Sequence, residues 1–405
     1  MIPLSYNVRS ILRRRVSAVA TVIGLGLVVF VFAAVLMLAR GVEETLKSTG
    51  SPHNAILLRK GSTTELTSFV PREAAKVFAA DPAVAVQGGK AVASPEVFVI
   101  FQLQRAGGAG SAGNGRTPQA GASGDGNGTA NVGFRGLTPD GLKLLRYDAV
   151  KVVEGRLPQP ATSEVMLGRG VRGRYVGAQV GSSIRIARRD WQVVGVFEAA
   201  GSGFESEVWA DADQIMDAAR RTGFSQLTVR LKSRSELSQL QATVDADPRY
   251  NLEAKREDIY YEESSGTLAL FIRALGGVIA VFFAFGATLG AMITMYAQVA
   301  SRVREVGTLR ALGFKRRWVL LSFLIESLIL ALIGAVAGCV FASMLGAVSF
   351  STVNFSSFTE IKFRFHFGPD VAIPAVLFAV AMGLLGGFLP AARAARLQIA
   401  EATTG

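Results

Sequence analysis

VSAVATVIGLGLVVFVFAAVLMLA, from Val16 to Ala39, carries no charged side chain. A helix of about 20 apolar residues is long enough to cross the hydrocarbon core of a bilayer. This run is longer than the apolar part of a secretory signal, and no clear small-residue cleavage site precedes Arg40. It is therefore expected to stay in place as a transmembrane helix. Three more apolar stretches follow near the C-terminus, at 267–296, 318–350 and 371–390, separated by short charged loops. The pattern predicts an α-helical membrane protein with four transmembrane helices, one N-terminal (16–39) and three C-terminal. A large mixed α+β extracytoplasmic domain is expected over 40–266.

Composition agrees. Half of the 405 residues are hydrophobic and only 18% are charged, an apolar excess over ordinary soluble domains. The formal charge of +12 could point to nucleic acid, but its placement points to a membrane. Arg9, Arg13, Arg14 and Arg15 precede the first span. Arg302, Arg304, Arg310, Lys315, Arg316 and Arg317 lie between the second and third. Arg393 and Arg396 follow the fourth. All three groups fall on one side of a four-span topology, and short loops rich in Lys and Arg stay in the cytoplasm. The short outer loop 351–370 carries only Lys362 and Arg364, with Glu360 nearby. The expectation is an inner-membrane protein whose N-terminal segment (1–15) and C-terminal tail (391–405) are cytoplasmic. It would touch lipid and no nucleic acid. The single cysteine, Cys339, sits in the third span and allows no internal disulfide. His53 and His366 form no metal motif, so no metal is expected.

The outer segment alternates short strand-like and helix-like patches. Asn54–Arg59, Glu96–Leu103, Ser182–Ile186, Trp191–Phe197 and Gln226–Leu231 are rich in branched or aromatic residues and predict strands. Pro71 suits a helix start continued by Arg72–Ala79, and Asp211–Arg220 and Ser235–Val244 predict two more helices. Between 105 and 130 the chain turns to Gly, Ala, Ser and Asn. Such a segment buries too little apolar surface to offset the entropy of ordering, and it predicts a flexible loop inserted between two strands. No Gly-Lys-Ser/Thr follows its glycines, so it is no phosphate loop.

Gly286 and Gly290, Gly334 and Gly338, and Gly383 and Gly387 are each four apart in a span. Such pairs let helix backbones approach closely, within one subunit or across a subunit interface. The loop 297–317 continues into the third span as SRVREVGTLRALGFKRRWVLLSFLIESLIL from Ser301. Val303, Val306 and Leu309 form one apolar stripe, with Arg302, Arg304, Glu305 and Arg310 on other faces. Gly313 suits the end of that helix. A short amphipathic helix between two spans either presses on a cytoplasmic partner or lies on anionic lipid. Glu326 lies about two turns into the third span, where ionisable groups are costly and often functional. Arg273, near the outer end of the second span, is read as snorkelling to the interface.

Arg304, Glu305, Val306 and Gly307, then Arg310, Ala311, Leu312 and Gly313, then Glu326 resemble the signature of the MacB/FtsX superfamily of ABC transporter permeases. Pro390, Ala391, Arg393, Ala394, Ala395 and Arg396, with Ile399 and Glu401, resemble its closing segment, although the family's second proline is absent. Glu164–Gly168 and Trp191–Phe197 are similar to strands of the MacB-type periplasmic core. The glycine-rich insertion departs from the family pattern. The resemblance implies a permease that works as a pair, with an identical or a related second permease, and binds a dimer of a separate cytoplasmic ABC ATPase. A periplasmic adaptor is a further partner it suggests. It implies that Val303, Arg304, Glu305, Val306, Gly307, Leu309, Arg310, Leu312 and Gly313 form the ATPase-coupling helix, with Glu326 as an intramembrane residue of conformational or packing role. ATP and Mg would sit on the partner, because no Walker A pattern occurs in this sequence.

The leading expectation is a transporter subunit, not itself an enzyme, that couples ATP hydrolysis to motion of a periplasmic domain for export or envelope-related transport. The alternative is an FtsX-like regulator that passes ATPase motion to a cell-wall hydrolase; such proteins usually have a smaller outer domain. A membrane-anchored enzyme is disfavoured, because the sequence holds no Gly-x-Ser-x-Gly, no His-Glu-x-x-His and no Cys-His arrangement.

Overall fold

The computed structural model describes residues 15–106, 128–146, 150–347, 349–353 and 359–396. The expected N-terminal segment up to residue 14, most of the glycine-rich insertion, and Ile399 and Glu401 of the tail lie outside them. Along the chain, helix α1 (Arg15–Lys47) leads to strand β1 (Asn54–Arg59) and helix α2 (Arg72–Ala79). The two-residue strands β2 (Val86–Gln87) and β3 (Lys90–Ala91) follow, then β4 (Ala93–Gln104) and β5 (Thr129–Leu137). Next come β6 (Lys151–Gly155), β7 (Glu164–Gly168), β8 (Ser183–Ile186), β9 (Arg189–Glu198) and β10 (Glu207–Asp211). After them run α3 (Ala212–Ala219), β11 (Gln226–Arg230), α4 (Leu237–Ala246) and β12 (Leu252–Arg256). The last part is α5 (Glu257–Ser301), α6 (Val303–Ala311), α7 (Arg316–Met344), the paired strands β13 (Ser349–Val353) and β14 (Glu360–Arg364), and α8 (Pro369–Arg396).

Two compact units result. One is helical: the chain up to Gly41, Ala269–Ser349, and the chain from Arg364 on. The other, named the outer unit after the side on which the sequence is expected to place it, is Val42–Leu268 with Phe350–Phe363.

The outer unit is built on one mixed sheet in the order β12-β1-β11-β4-β5-β10-β7-β9-β6, with β8 on β9. β5 runs parallel to β10 and β7 parallel to β9, and the other pairings are antiparallel. β1 is buried along five consecutive residues, as a strand covered on both faces should be. β8 alternates exposed and buried residues, as a strand with one wet face should. α3 starts where the Asp211 carboxylate accepts from the Asp213 and Gln214 N–H groups, at 3.0 and 3.2 Å. β4 and β5 pair from Glu96↔Leu137 to Gln104↔Thr129, so the glycine-rich stretch is the connection between two paired strands. Around the β9–β10 end, Phe197 and Phe204 both meet the Trp209 ring, at centroid distances of 4.3 and 5.4 Å. Strands β5, β6, β10 and β12 carry too many glycines or charges to announce themselves, and the sheet supplies what propensity does not.

In the helical unit, α1, Leu270–Ser301 of α5, α7 and α8 are long and apolar enough to cross a membrane. Exposed apolar side chains such as Phe282 and Phe285 on α5 suit lipid rather than water. The glycine pairs divide in their use. A Cβ on Gly338 would lie 2.6 Å from the Gly26 carbonyl oxygen of α1, and one on Gly383 would lie 2.5 Å from the Ala331 Cβ of α7. Those pairs seat α1 and α8 on α7. A Cβ on Gly286 or Gly290 would meet no neighbouring element within 4 Å.

Several boundaries differ from the expected ones. α5 begins at Glu257, ahead of the expected 267. α7 stops at Met344 rather than at 350, and β13, which begins at Ser349, pairs with β14 inside the expected loop 351–370. The alternation in Glu360–Arg364 has the period of a strand, which averaged hydropathy cannot register. α8 runs past Pro390 to Arg396.

Candidate functional site

α5 ends at Ser301, and Arg302, with φ −117° and ψ 15°, breaks the helix before α6. Here the chain turns, and the Arg302 side chain goes inward. Its Nη1 donates to Glu326 Oε2 at 2.9 Å, and its Nε donates to Glu305 Oε2 at 3.1 Å. The guanidinium also lies over the Phe323 ring, 5.3 Å from the centroid. Glu326 is only 2% exposed, so its charge is held by this arginine rather than by water.

The other end of α6 is closed by a paired cap. The Phe314 N–H donates to the Leu309 carbonyl at 3.2 Å and the Gly313 N–H to the Arg310 carbonyl at 3.1 Å. Gly313 takes φ +93°, which a residue with a Cβ rarely adopts.

Between these ends, the apolar stripe faces the bundle. Val306 is 2% exposed and joins Met295 and Val299 of α5, Val319 and Phe323 of α7, and Ala391 and Ala394 of α8 in one cluster. Gly307 is buried with it, and Val303, Leu309 and Arg310 are half-buried. Arg304, Glu305, Leu312 and Gly313 are exposed, Leu312 at 72%. Of the residues that the resemblance marks, the structure thus puts Val306 and Gly307 in the seat of the helix and Arg304, Glu305, Leu312 and Gly313 on its outer surface. Arg302, which the sequence showed only as one more loop arginine, is the partner of Glu326. The signal was there: a buried carboxyl in a span calls for a cation from a neighbouring segment. Arg393, from the closing motif, lies over the Tyr296 ring at 5.8 Å.

The outer unit holds a second charged centre. Arg135 of β5 donates to Glu207 Oε2 at 2.7 Å, Glu96 Oε2 at 2.8 Å and Glu65 Oε2 at 3.0 Å. Arg146 donates to Glu96 Oε1 at 2.8 Å and to Glu257 Oε1, in the first turn of α5, at 2.6 Å. The Tyr261 hydroxyl donates to Glu65 Oε1 at 2.8 Å, and Asn54 Nδ2 donates to Glu257 Oε2 at 2.8 Å. Phe204 lies against both guanidiniums, 5.1 Å from Arg135 and 4.8 Å from Arg146. Burial alone would raise the Glu96 carboxyl, but Arg146 and Arg135 outweigh it and hold it below the usual carboxylate range. Glu207 goes the other way: burial raises it, Arg135 offsets only part, and Glu65 adds repulsion. The centre fastens the root of α5 to four strands. No local pattern in the sequence marks it, because its charged residues are spread along the chain from Glu65 to Glu257 and β5 itself does not read as a strand. Among the described residues no cluster of His, Cys, Asp or Glu is arranged as a metal site.

Two family models match the chain. Residues 17–247 match the model of the MacB-like periplasmic core domain, and residues 277–399 match that of the FtsX-like permease C-terminal domain. The macrolide export ATP-binding/permease protein MacB of Brucella abortus is 32% identical over 245 residues, which are 56% of this chain and 35% of that protein. The pyoverdine export ATP-binding/permease protein PvdT of Pseudomonas syringae pv. tomato is 28% identical over 264 residues, 61% of this chain and 38% of that protein. The chain thus spans well under half the length of these relatives. Among solved structures, the extracellular domain of the YknZ transporter from Gram-positive bacteria aligns with a TM-score of 0.36 at 12% identity, covering 50% of this chain and 99% of that one. The periplasmic region of MacB from Actinobacillus actinomycetemcomitans aligns at 0.37 and 10%, covering 54% and 94%.

Proposed function

The chain belongs to the family of ABC transporter permeases that join a MacB-like periplasmic core domain to an FtsX-like transmembrane domain, and from that premise we propose that it is a permease subunit which carries conformational change from a separate ATPase to a periplasmic domain. The observation that carries this reading is the seat of α6. One buried residue, Val306, touches a cluster drawn from three spans, while Arg304 and Leu312 stand exposed on the same short helix. A push on that exposed face reaches α5, α7 and α8 together, because a close-packed cluster yields little before it moves as a body. One buried cluster between α1, α7 and α8 is apolar, with Leu25, Val29, Ala331, Ala335 and Met382 in it, which favours a linkage over a hydrophilic pore.

In this reading the 302–317 loop, both termini and the partner ATPase dimer are cytoplasmic, and ATP and Mg are bound by that partner. A second permease, identical or related, completes the membrane part, and a periplasmic adaptor extends it. The names of the relatives pair this architecture with a macrolide in one case and with pyoverdine in another. Export or envelope-related transport is therefore the proposed class, with no single cargo.

The test uses the full chain in lipid nanodiscs with the ATPase that co-purifies with it. Arg304→Glu and Leu312→Asp should each lower permease-stimulated ATP hydrolysis at least tenfold, with the unfolding midpoint unchanged. Unaltered stimulation in both variants, or no co-purifying ATPase, sinks the reading.

A further inference from the structure

Glu360, the first residue of β14, is 7% exposed. Its Oε2 accepts from Arg105 Nη2 at 3.1 Å and from the Tyr175 hydroxyl at 2.9 Å, and its Oε1 accepts from Arg174. The three donors converge because the Tyr175 segment pairs with the end of β4. The Ala106 N–H donates to the Arg174 carbonyl, and the Val176 N–H donates to the Gln104 carbonyl, both at 2.8 Å. Tyr175 is buried, and its phenol is held well above its ordinary value, by burial first and then by the Glu360 charge. A carboxylate that has left water needs compensating partners, and this one has two guanidiniums and a phenol.

The place of this cluster in the chain gives it a further meaning. Residues 350–363 belong to the outer unit, while the chain on either side of them belongs to the helical unit. The chain passes between the units after Gly41, after Leu268, after Ser349 and before Arg364. At the first two passages it is an uninterrupted helix, α1 through Gly41 and α5 through Leu268. At the other two it is not: α7 has ended at Met344 and α8 begins only at Pro369. A helix carries displacement along its own hydrogen bonds. A non-helical connection carries it only through the contacts that hold it.

We propose that Glu360 is a positioning residue: by accepting from Arg105, Arg174 and Tyr175 it holds the α7–α8 connection within the outer unit, and so makes α7 and α8 a third input to that unit beside α1 and α5. The sharing of a drive from α6 rests on the coupling reading above; the attachment itself rests on the bonds to Glu360.

The experiment compares hydrogen–deuterium exchange of the full chain, in nanodiscs with its co-purifying ATPase, without nucleotide and trapped with ATP and vanadate. In the parent, trapping should change exchange at 359–364, at 174–176 and at 257–268. Glu360→Gln should speed exchange at 359–364 at least tenfold without nucleotide and abolish the trapping response at 359–364 and 174–176, while the response at 257–268 stays. Tyr175→Phe, which removes one donor and leaves both arginines, should give the same pattern at a smaller, roughly threefold scale. A Glu360→Gln chain that keeps the full response at 359–364 and 174–176 overturns the inference and leaves the coupling reading standing. Loss of the response at 257–268 as well overturns it too, since the residue would then act on the whole outer unit. A parent with no trapping response anywhere sinks the coupling reading, and with it the third input.

Discussion

In the outer unit Arg135 meets three carboxylates and Arg146 meets two; in the helical unit Arg302 meets Glu326 inside and Glu305 at the loop surface. The first arrangement is a network in which Glu96 bridges the two arginines and neutral donors fill the remaining acceptor positions. The second is built around the buried Arg302–Glu326 ion pair. A buried ion costs several kcal/mol unless its partners are well placed. The network shares that cost over four strands, the segments of Glu65 and Arg146 and a helix root, whereas the pair sits at one joint between a loop and a span. A shared cost gives rigidity, and a concentrated one gives a joint that a single change can disturb.

The comparison is tested most harshly at its centre. Arg135→Met leaves Glu65 and Glu207 without a cation and should destabilise the outer unit by about 5 kcal/mol. The unfolding midpoint followed by fluorescence of the buried Trp191 and Trp209 measures this in the full chain. A loss under about 1 kcal/mol would show that neutral donors alone support the carboxylates.

Glu326→Gln should cost about 3 kcal/mol locally, because Arg302 keeps a surface carboxylate, Glu305, as a partial partner. Amide exchange over Val303–Ala311 should accelerate, while the outer unit is unaffected. The apolar double variant Arg302→Met with Glu326→Leu should recover most of that loss, since it removes both buried charges at once. If it does not, the pair fixes geometry as well as charge.

The smallest expected effect concerns pH, and here the network splits. Glu96 lies below its ordinary value of 4.5, so its contribution to stability is present above pH 4.5 and is lost as pH falls through its lowered value. Asp258 and Glu164, held low chiefly by hydrogen bonds from Arg256 and Arg156, have the same sign. Glu207 lies above 4.5, so the folded state holds its proton more tightly than the unfolded chain does. Its stabilising contribution is complete below pH 4.5 and is lost as pH rises through its raised value. The outer unit should therefore gain slightly in stability from neutral pH down to about 4.5, then lose it. Glu207→Gln should remove the gain and keep the acid loss. A midpoint that falls steadily from neutral pH in the parent chain would overturn this assignment.

Much of the molecule is legible in the sequence. Val16–Ala39 is an unbroken apolar run, and Asn54–Arg59, Arg72–Ala79 and Trp191–Phe197 carry their element in their own side chains. The α6 stripe was legible as well, since Val303, Val306 and Leu309 recur at helical spacing. What such patterns cannot carry is the identity of a partner far along the chain. Arg302 and Glu326 are 24 positions apart, Arg135 and Glu65 are 70, and Arg174 and Glu360 are 186. The β13–β14 pair escaped for a related reason: a five-residue alternation between two long apolar helices disappears into their average.

The division between sequence and tertiary structure follows the range of the forces. Burial of apolar surface is additive along a segment, so the sequence alone determined four membrane-spanning helices, a separate mixed domain and an amphipathic loop helix between spans. Ion pairing in a low-dielectric interior depends on distance in space, so only the tertiary structure decided that Arg302 answers Glu326, that Arg135 and Arg146 bind the root of α5 to the sheet, and that Glu360 belongs to the outer unit. The same holds for the glycine pairs. Their spacing marks all three as smooth helix faces, but only the packing of α1 and α8 on α7 shows that two are filled and that Gly286 and Gly290 are not.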